Sequence, residues 1–471
     1  SGLRLSACAV DAPASAPVTE SAGGGIRVLR NASVGGSVAL HGVVVEGCGA
    51  AFGAGMAVVW DGTGAAGGVV NVTHSSFDGN TAGARQGVVP GQGGGVFVYV
   101  PNGLAASSGL VLSFAQCRFG HNSGGNSGGG VTLLADAASP AGHSDDGVVV
   151  SFDGVDFAGN VADSGGGVAV DYLVGVFTFT TVTFFDNVAA AGPGGAMRAI
   201  GMPDIPANLD SLWCFEDRPA EYRRWHPAAR YDLVGVLMRN NSALCEHSSS
   251  PARRTLQCKG GGADIANGTV TITDSVIESN SAQLHGGAIH LAPGSANLVL
   301  NRTTLRNNSA LSGRQVYADS SGSITLAAST MVMTDADAPA GTGILAPELH
   351  LSAGGGQLTV TGGSLWTCPV GSAVTRPNYL PPYLDSEPWW PGECLFLTSG
   401  VDVACEPCNP GTYSLQRGEA VDGAARPFNC SDCPYGGDCR EGGARVRAMP
   451  GFWAGAPVWA AAGDSDGNHS D

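Results

Sequence analysis

Between residues 77 and 308 the chain writes one phrase seven times: a bulky apolar residue, two variable positions, Asn, one further residue, then Ala or Gly. The copies are FDGNTA, FGHNSG, FAGNVA, FFDNVA, MRNNSA, IESNSA and LRNNSA, anchored by Phe77, Phe119, Phe157, Phe184, Met238, Ile277 and Leu305. After six of them a glycine pair opens a short apolar run: GGGVFVYV, GGGVTLL, GGGVAVDY, GGAMRAI, GGADIA and GGAIHLA. The seventh leads to the worn form SGRQVYA. Repetition of this kind means a stack of similar units, each burying its apolar face on its neighbours.

Each phrase follows a strand-like segment such as VVNVTHSSF, LVLSFAQCRF, VVVSFDGVDF, FTFTTVTFF, VTITDSVI or LVLNRTTL. Apolar residues alternate there with small or polar ones, the period of an extended strand with one buried face. One unit holds about three strands and their corners, with no room for a helix. The expected fold is all-β, a right-handed parallel β-helix. Stacked coils place equivalent side chains about 4.8 Å apart, so the anchoring Phe, Ile and Leu should form a continuous apolar column.

The recurring asparagines, Asn80, Asn122, Asn160, Asn187, Asn241, Asn280 and Asn308, fall where the chain must turn. Asn tolerates the left-handed conformation, and its amide can bond backbone groups locally or in the next coil, so a structural Asn ladder is expected. Pairs such as Gly94-Gly95 and Gly286-Gly287 supply positive φ and let coils approach closely. Successive ladder positions lie 42, 38, 27, 54, 39 and 28 residues apart. The short steps read as single coils, and the long ones as coils with loops or additional coils. Upstream, VEGCGAAFGAGMAVV is a worn copy with Cys48 in place of Asn. Residues 1–365 then form one elongated domain of roughly a dozen coils, about 60 Å long.

The words FxxN and GGA, with its GGG variants, resemble the repeats of the chlamydial polymorphic outer membrane protein family over about residues 20–330. The resemblance implies a secreted, surface-displayed β-helix associated with adhesion rather than metabolism. Nothing here resembles that family's C-terminal membrane barrel.

Formal net charge is −17, with one lysine, Lys259. That balance disfavours nucleic acids and anionic membranes, which require clustered positive charge. No uncharged apolar stretch reaches the length of about 20 residues that spans a bilayer. The chain has no initiating Met or leader and reads as processed or cut from something longer, its anchor, if any, lying in a missing C-terminal part. Sequons occur at Asn31, Asn71, Asn240, Asn267, Asn301, Asn307, Asn429 and Asn468, which together favour a eukaryotic secretory route. Asn240 and Asn307 directly precede ladder positions and are expected to point outward.

Seven of the thirteen cysteines lie between Cys368 and Cys439, six of them beyond a bridge, RPNYLPPYLDSEPWWPG, that cannot continue the coil. Residues 366–400 read as a Pro/Trp-rich cap or linker, with Trp389 and Trp390 suited to covering the open end of the stack. Residues 401–452 read as a cysteine-rich module and 453–471 as a tail. Paired CxxC spacing at Cys405/Cys408 and Cys430/Cys433 also approximates a zinc ribbon. The additional Cys368, Cys394 and Cys439, and an oxidising compartment, weigh toward disulfides without a cofactor. The phrase C-x-x-C-x-x-G-T-Y-S, followed by C-x-x-C-P, resembles the ephrin-receptor-like cysteine-rich modules of surface proteins, which implies a stalk between a recognition domain and a membrane.

Parallel β-helices also carry pectin and polysaccharide cleavage, whose hydrolases need clustered carboxylates and whose lyases need acids holding Ca²⁺ and a basic proton acceptor. The only Asp pair, Asp145-Asp146 beside His143, lies in the loop SPAGHSDDG with no NTD, GHG or RxK phrase. No glycine run continues into GK[ST], and the pattern GxSxG, met as GNSGG at 125–129 and GDSDG at 463–467, lacks the strand-to-helix context of a nucleophile elbow. No catalytic or metal residue is assigned.

Two inserts break the rhythm, near 201–232 and 243–259. The first concentrates Trp213, Tyr222, Arg223, Arg224, Trp225, His226 and Tyr231 in a chain poor in such residues. Aromatic and Arg side chains dominate binding hot spots. Cys214, Cys245 and Cys258 are placed to pin these loops by disulfides, and a stapled flap without ligand is the plainer reading of the same residues. The reading as a whole is a non-catalytic extracellular structural or adhesion protein whose partner is a wall or matrix glycan or a surface protein. A polysaccharide lyase or hydrolase is the alternative, and a receptor or channel ectodomain the third.

Overall fold

The structure is a computed structural model that describes residues 3–9, 22–31, 36–61, 68–83, 91–100, 109–135, 148–173, 175–200, 229–244, 258–266, 268–292, 296–319, 323–333, 348–351, 357–375, 401–440, 442–444 and 446–451. All of its regular elements are strands. They build a parallel β-helix with three long sheets of thirteen, twelve and ten strands. One coil runs through Val96–Val100, Leu110–Ala115 and Arg118–Gly120, one strand in each sheet. These pair in parallel with Val131–Ala135, Val148–Asp153 and Asp156–Ala158 of the next coil. The sheet that follows the glycines is called here the Gly sheet, the one with mostly six-residue strands the long sheet, and the one carrying the anchors the Phe sheet.

The anchors fall in one register. Val45, Phe77, Phe119, Phe157, Phe184, Met238, Ile277, Leu305, Met331 and Trp366 are successive partners on the Phe sheet. All are buried. Ring centroids of Phe77, Phe119, Phe157 and Phe184 step by 5.2, 4.9 and 4.9 Å. A second stack, Phe114, Phe152 and Phe179, rises on the long sheet and meets the first edge-on at Phe119 and Phe157. The column is therefore a packed core along the whole axis, stabilised by burial and by ring pairing.

The Asn ladder is continuous. Each Nδ2 donates to the carbonyl of the anchor one coil back and to the Oδ1 of the next ladder Asn, as in Asn122 to Phe77 at 2.9 Å and to Asn160 at 3.0 Å. That Oδ1 also accepts the Asn122 backbone N–H at 3.1 Å. Every step of 27 to 54 residues is thus a single coil, and the longer ones carry loops only. Cys48 holds the upstream position, donating its N–H to Asn80 Oδ1 at 2.9 Å, and is disulfide-bonded to Cys8. One expectation is corrected: the left-handed residue is not the ladder Asn but the one before it. Gly47, Gly79, His121, Gly159, Asp186, Asn240, Ser279 and Asn307 have φ between 50° and 63°. The turn is made one residue early, which lets the Asn side chain swing inward with its amide along the axis.

The glycines divide their labour. In Gly93-Gly94-Gly95 only Gly93 has positive φ, 66°. A Cβ on Gly95 would sit 2.5 Å from the Gly130 carbonyl oxygen, so the neighbouring coil's backbone leaves it no room.

Eleven parallel strands follow one another on the Phe sheet, an axis of about 50 Å. The boundary drawn at 365 falls on the first residue of the last of them, Leu365–Val370. The open end is covered by antiparallel strands from the cysteine-rich part: Val401–Pro407 pairs with Leu349–Leu351 and Ser372–Thr375, and Arg417–Val421 with Leu365–Val370. Disulfides Cys368–Cys405, Cys408–Cys430 and Cys433–Cys439 hold this cap, splitting each CxxC pair between different partners. These cysteines are thereby spent as disulfides rather than zinc thiolates. Trp389, Trp390 and Cys394 lie outside the described residues.

Beneath the cap the ladder ends on a carboxyl. Asn308 Nδ2 donates to Gln315 Oε1 at 2.7 Å, and Gln315 Nε2 to Glu348 Oε2 at 3.2 Å. Burial pushes the Glu348 carboxyl up to about 7, against the opposing pull of Arg314 and Gln315. A folded-state value above the unfolded one means stability present at low pH and lost as pH rises through about 7. Glu348→Gln removes that titration. The unfolding free energy of the variant should gain on the wild type between pH 5 and 8 by on the order of 1–3 kcal/mol, read from denaturation curves at each pH. Parallel pH profiles would refute the assignment.

Candidate functional site

The outward face of the Gly sheet changes character along the axis. One register column reads Ala57, Phe97, Thr132 and Ala169 in the early coils. It continues as Arg198, Asp264, His290, Tyr317, His350 and Asp402. Beside it run the residues that precede each glycine turn, here Lys259, His285 and Ser312. The left-handed glycine folds each of these back against the sheet. The early coils use the arrangement to pack Phe52 on Phe97, at 5.2 Å between centroids. The late coils fill the same places with ionisable groups.

His290 is at the centre. Its Nδ1 lies 2.5 Å from Asp264 Oδ1 and its Nε2 3.0 Å from Asp319 Oδ2. Lys259 Nζ donates to the same Asp319 oxygen at 2.8 Å. Burial and the Lys259 charge press the imidazole toward its neutral form, but the two carboxylates outweigh them and raise its pKa. Burial also opposes the Asp319 charge, yet the bonds and charges of His290 and Lys259 hold that carboxyl well below its ordinary range. His285 is pushed down to about 3 by burial and then by Lys259, so it is a neutral imidazole at any physiological pH. Its ring stacks on Tyr317 at 4.2 Å, and Tyr317 stacks in turn on His350 at 4.5 Å. His350 Nδ1 lies 2.6 Å from Asp402 Oδ1, joining the last coil to the cap strand.

In the preceding coils, Ser127 Oγ donates to Asp171 Oδ2 at 2.8 Å and Arg198 Nη1 to Ser164 Oγ at 2.7 Å. Among the described residues, the other Asp171 oxygen, Arg198 Nε and the Tyr231 hydroxyl are buried without hydrogen-bond partners. Burial and the Asp171 charge raise the Tyr231 pKa. Tyr231, counted above with the first insert, is a core residue stacked on Phe177 at 5.0 Å.

Chemically the His290 cluster is a relay of paired charges. Its imidazole lies between two carboxylates, and the Asp319 carboxyl, held well below its ordinary range, is not the protonated acid that glycoside cleavage requires. Among the described residues no group of three or more His, Cys, Asp or Glu is placed to hold a metal ion.

Trp213, Tyr222, Arg223, Arg224 and Trp225 lie outside the described residues, as do Cys214 and Cys245, His226, and Asp145, Asp146 and His143. The strands Met197–Ile200 and Arg230–Val234 that bracket the first insert are adjacent to the Arg198 and Tyr231 positions just described. Cys258, at the end of the second insert, is buried and disulfide-bonded. Of the sequons, Asn71, Asn240, Asn307 and Asn429 are exposed and Asn301 is half-buried, while Asn31 ends the strand Ile26–Asn31. Asn267 and Asn468 lie outside the described residues.

Sequence reasoning passed over the His290 cluster, because a histidine in GGAIHLA and a worn SGRQVYA read as repeat decay. The available signal was the single lysine directly before a glycine triplet. No protein-family model, curated protein or solved structure matches the chain.

Proposed function

We propose that the protein is a non-catalytic extracellular structural protein of adhesion type, a stiff β-helical rod whose inserts meet a glycan or protein partner. The observation that carries this reading is where length variation is allowed. The corner from the long sheet to the Phe sheet has two residues in nine successive coils and three in the last. Its first residue is left-handed each of those nine times, from Gly42 to Ala328, with φ between 48° and 65°. The corner from the Gly sheet to the long sheet ranges instead from residue 267 alone to the run 201–229. A scaffold with one invariant corner, whose other two corners accept insertions both before Arg230 and between Arg239 and Ala263, is suited to display.

Disulfides belong to an oxidising compartment. No helix among the described residues is long and apolar enough to cross a membrane. The ionisable side chains of the Gly sheet are engaged with one another, which favours binding over turnover.

The purified chain should be retained on immobilised wall or matrix polymers or on the cell surface. Arg223→Ala with Trp225→Ala should weaken retention by at least about tenfold, the effect of losing a hot spot. Unchanged retention with an intact fold would remove the insert from the proposal. Release of reducing sugar or unsaturated product from polyuronates, with or without Ca²⁺, would replace it with the polysaccharide-cleaving alternative.

A further inference from the structure

We propose that Lys259 and Asp319 are the two ends of an intramolecular isopeptide cross-link, formed with His290 as the proton-transferring residue. The inference is independent of what the inserts bind.

Its first support is the choice of residue. The chain contains a single lysine, while arginine supplies every other long cation. An ion pair alone does not require lysine, since guanidinium pairs with carboxylate at least as well. Guanidinium is never deprotonated in proteins and is no nucleophile, whereas an amine is a good one once it has lost its proton. The one primary side-chain amine of the chain is therefore kept where it touches a carboxylate.

The second support is geometry. Lys259 Nζ and His290 Nε2 converge on the same oxygen, Asp319 Oδ2, at 2.8 and 3.0 Å. Asp264 Oδ1, 2.5 Å from Nδ1, fixes the ring. Asp264 is a positioning residue; His290 touches the reacting group. The amine and the carboxyl belong to coils separated by the His290 coil, so register rather than sequence brings them together. Held contact of this kind replaces a bimolecular condensation with a unimolecular one, worth effective molarities on the order of 10⁵ M or more. Exposure of 19% at Lys259, 18% at Asp319 and 1% at His290 keeps most water from the pair. Partial exclusion of water slows hydrolysis of the product.

The step balances without oxidant or cofactor. A proton passes from the Lys259 ammonium to the Asp319 carboxylate, giving amine and acid. The Nζ lone pair forms a bond to Cγ, and the carbonyl electron pair moves to oxygen. His290 protonates the Oδ2 hydroxyl, the Cγ–Oδ2 bond breaks, and water leaves as the carbonyl re-forms. The new nitrogen returns its extra proton to His290. Net, amine and acid become amide and water, and the bond ties three consecutive coils together.

The test is a tryptic map of the secreted wild-type chain after reduction and deglycosylation. Cross-linking leaves Lys259 uncut and joins peptide 255–302 to peptide 315–417, lighter by the mass of one water. Lys259→Arg and Asp319→Ala should each allow cleavage after residue 259 and return peptide 260–302 unjoined, and His290→Gln should lower the joined fraction in folded protein. Cleavage after Lys259, with both peptides recovered separately from folded wild type, would leave an ion pair only and overturn the proposal.

Discussion

Replacing Asn187 with Ala should cost on the order of 4 kcal/mol. The side chain sits mid-ladder and is fully buried. Its Oδ1 accepts from the Asn160 backbone N–H at 3.1 Å and from Asn160 Nδ2 at 2.9 Å. Its Nδ2 donates to the Phe157 carbonyl and to Asn241 Oδ1, both at 2.9 Å. Alanine deletes all four bonds. It also leaves the Asn160 N–H and an Asn160 amide hydrogen without partners, each at about 1–3 kcal/mol for a buried group. Asn187→Asp keeps the acceptor but buries a charge without a donor to the next rung, so it should be no milder. Exposed Asn71→Gln is the control and should stay within about 0.5 kcal/mol. Denaturant midpoints followed in the far ultraviolet decide the matter. A mid-ladder change indistinguishable from the control would mean that the amides follow the fold rather than maintain it.

Phe157→Ala should destabilise by about 3–5 kcal/mol. The ring is sandwiched at 4.9 Å by Phe119 and by Phe184, and Phe152 meets it edge-on at 5.6 Å. A solenoid offers the void no easy repair. Moving one rung inward would break register with both neighbours, which are hydrogen-bonded through all three sheets. Phe157→Leu should recover most of the loss, because Leu305 and Ile277 already occupy equivalent rungs. Because repeat arrays unfold by neighbouring units, the loss should appear as early melting of the middle coils rather than as a uniform shift. Hydrogen exchange resolved along the chain would register it. Equal protection of the middle and end coils in the variant would contradict that account.

Much of the architecture was legible because each coil repeats the same local problem. Phe77, Phe119 and Phe157 recur because only a large apolar side chain fills the space beneath the next rung. The asparagines recur because every coil has the same amide-sized gap facing the same backbone groups. The left-handed position was assigned one residue late, to the Asn instead of to its neighbour. The neighbours are Gly, His, Asp, Asn and Ser in different copies. Their variety hides a common backbone angle that only coordinates display.

The candidate site was hidden for a different reason. Lys259, Asp264, His290 and Asp319 are spread over 61 residues and belong to three repeat units. Each alone looks like drift on an outward position. What makes them a cluster is the pairing of Asp264 with His290 and of His290 with Tyr317, a register set by intervening loop lengths.

From its sequence alone this protein is a stack of three-stranded coils with an apolar axis and an amide ladder, because those features depend on a period, and a period is a local property repeated. The tertiary structure alone decided that every long step is one coil, that the cysteine-rich part closes the stack with antiparallel strands, and that a lysine, a histidine and two aspartates meet. These depend on which strand lies beside which. That choice is made by backbone hydrogen bonding across tens of residues, where no local pattern records the outcome.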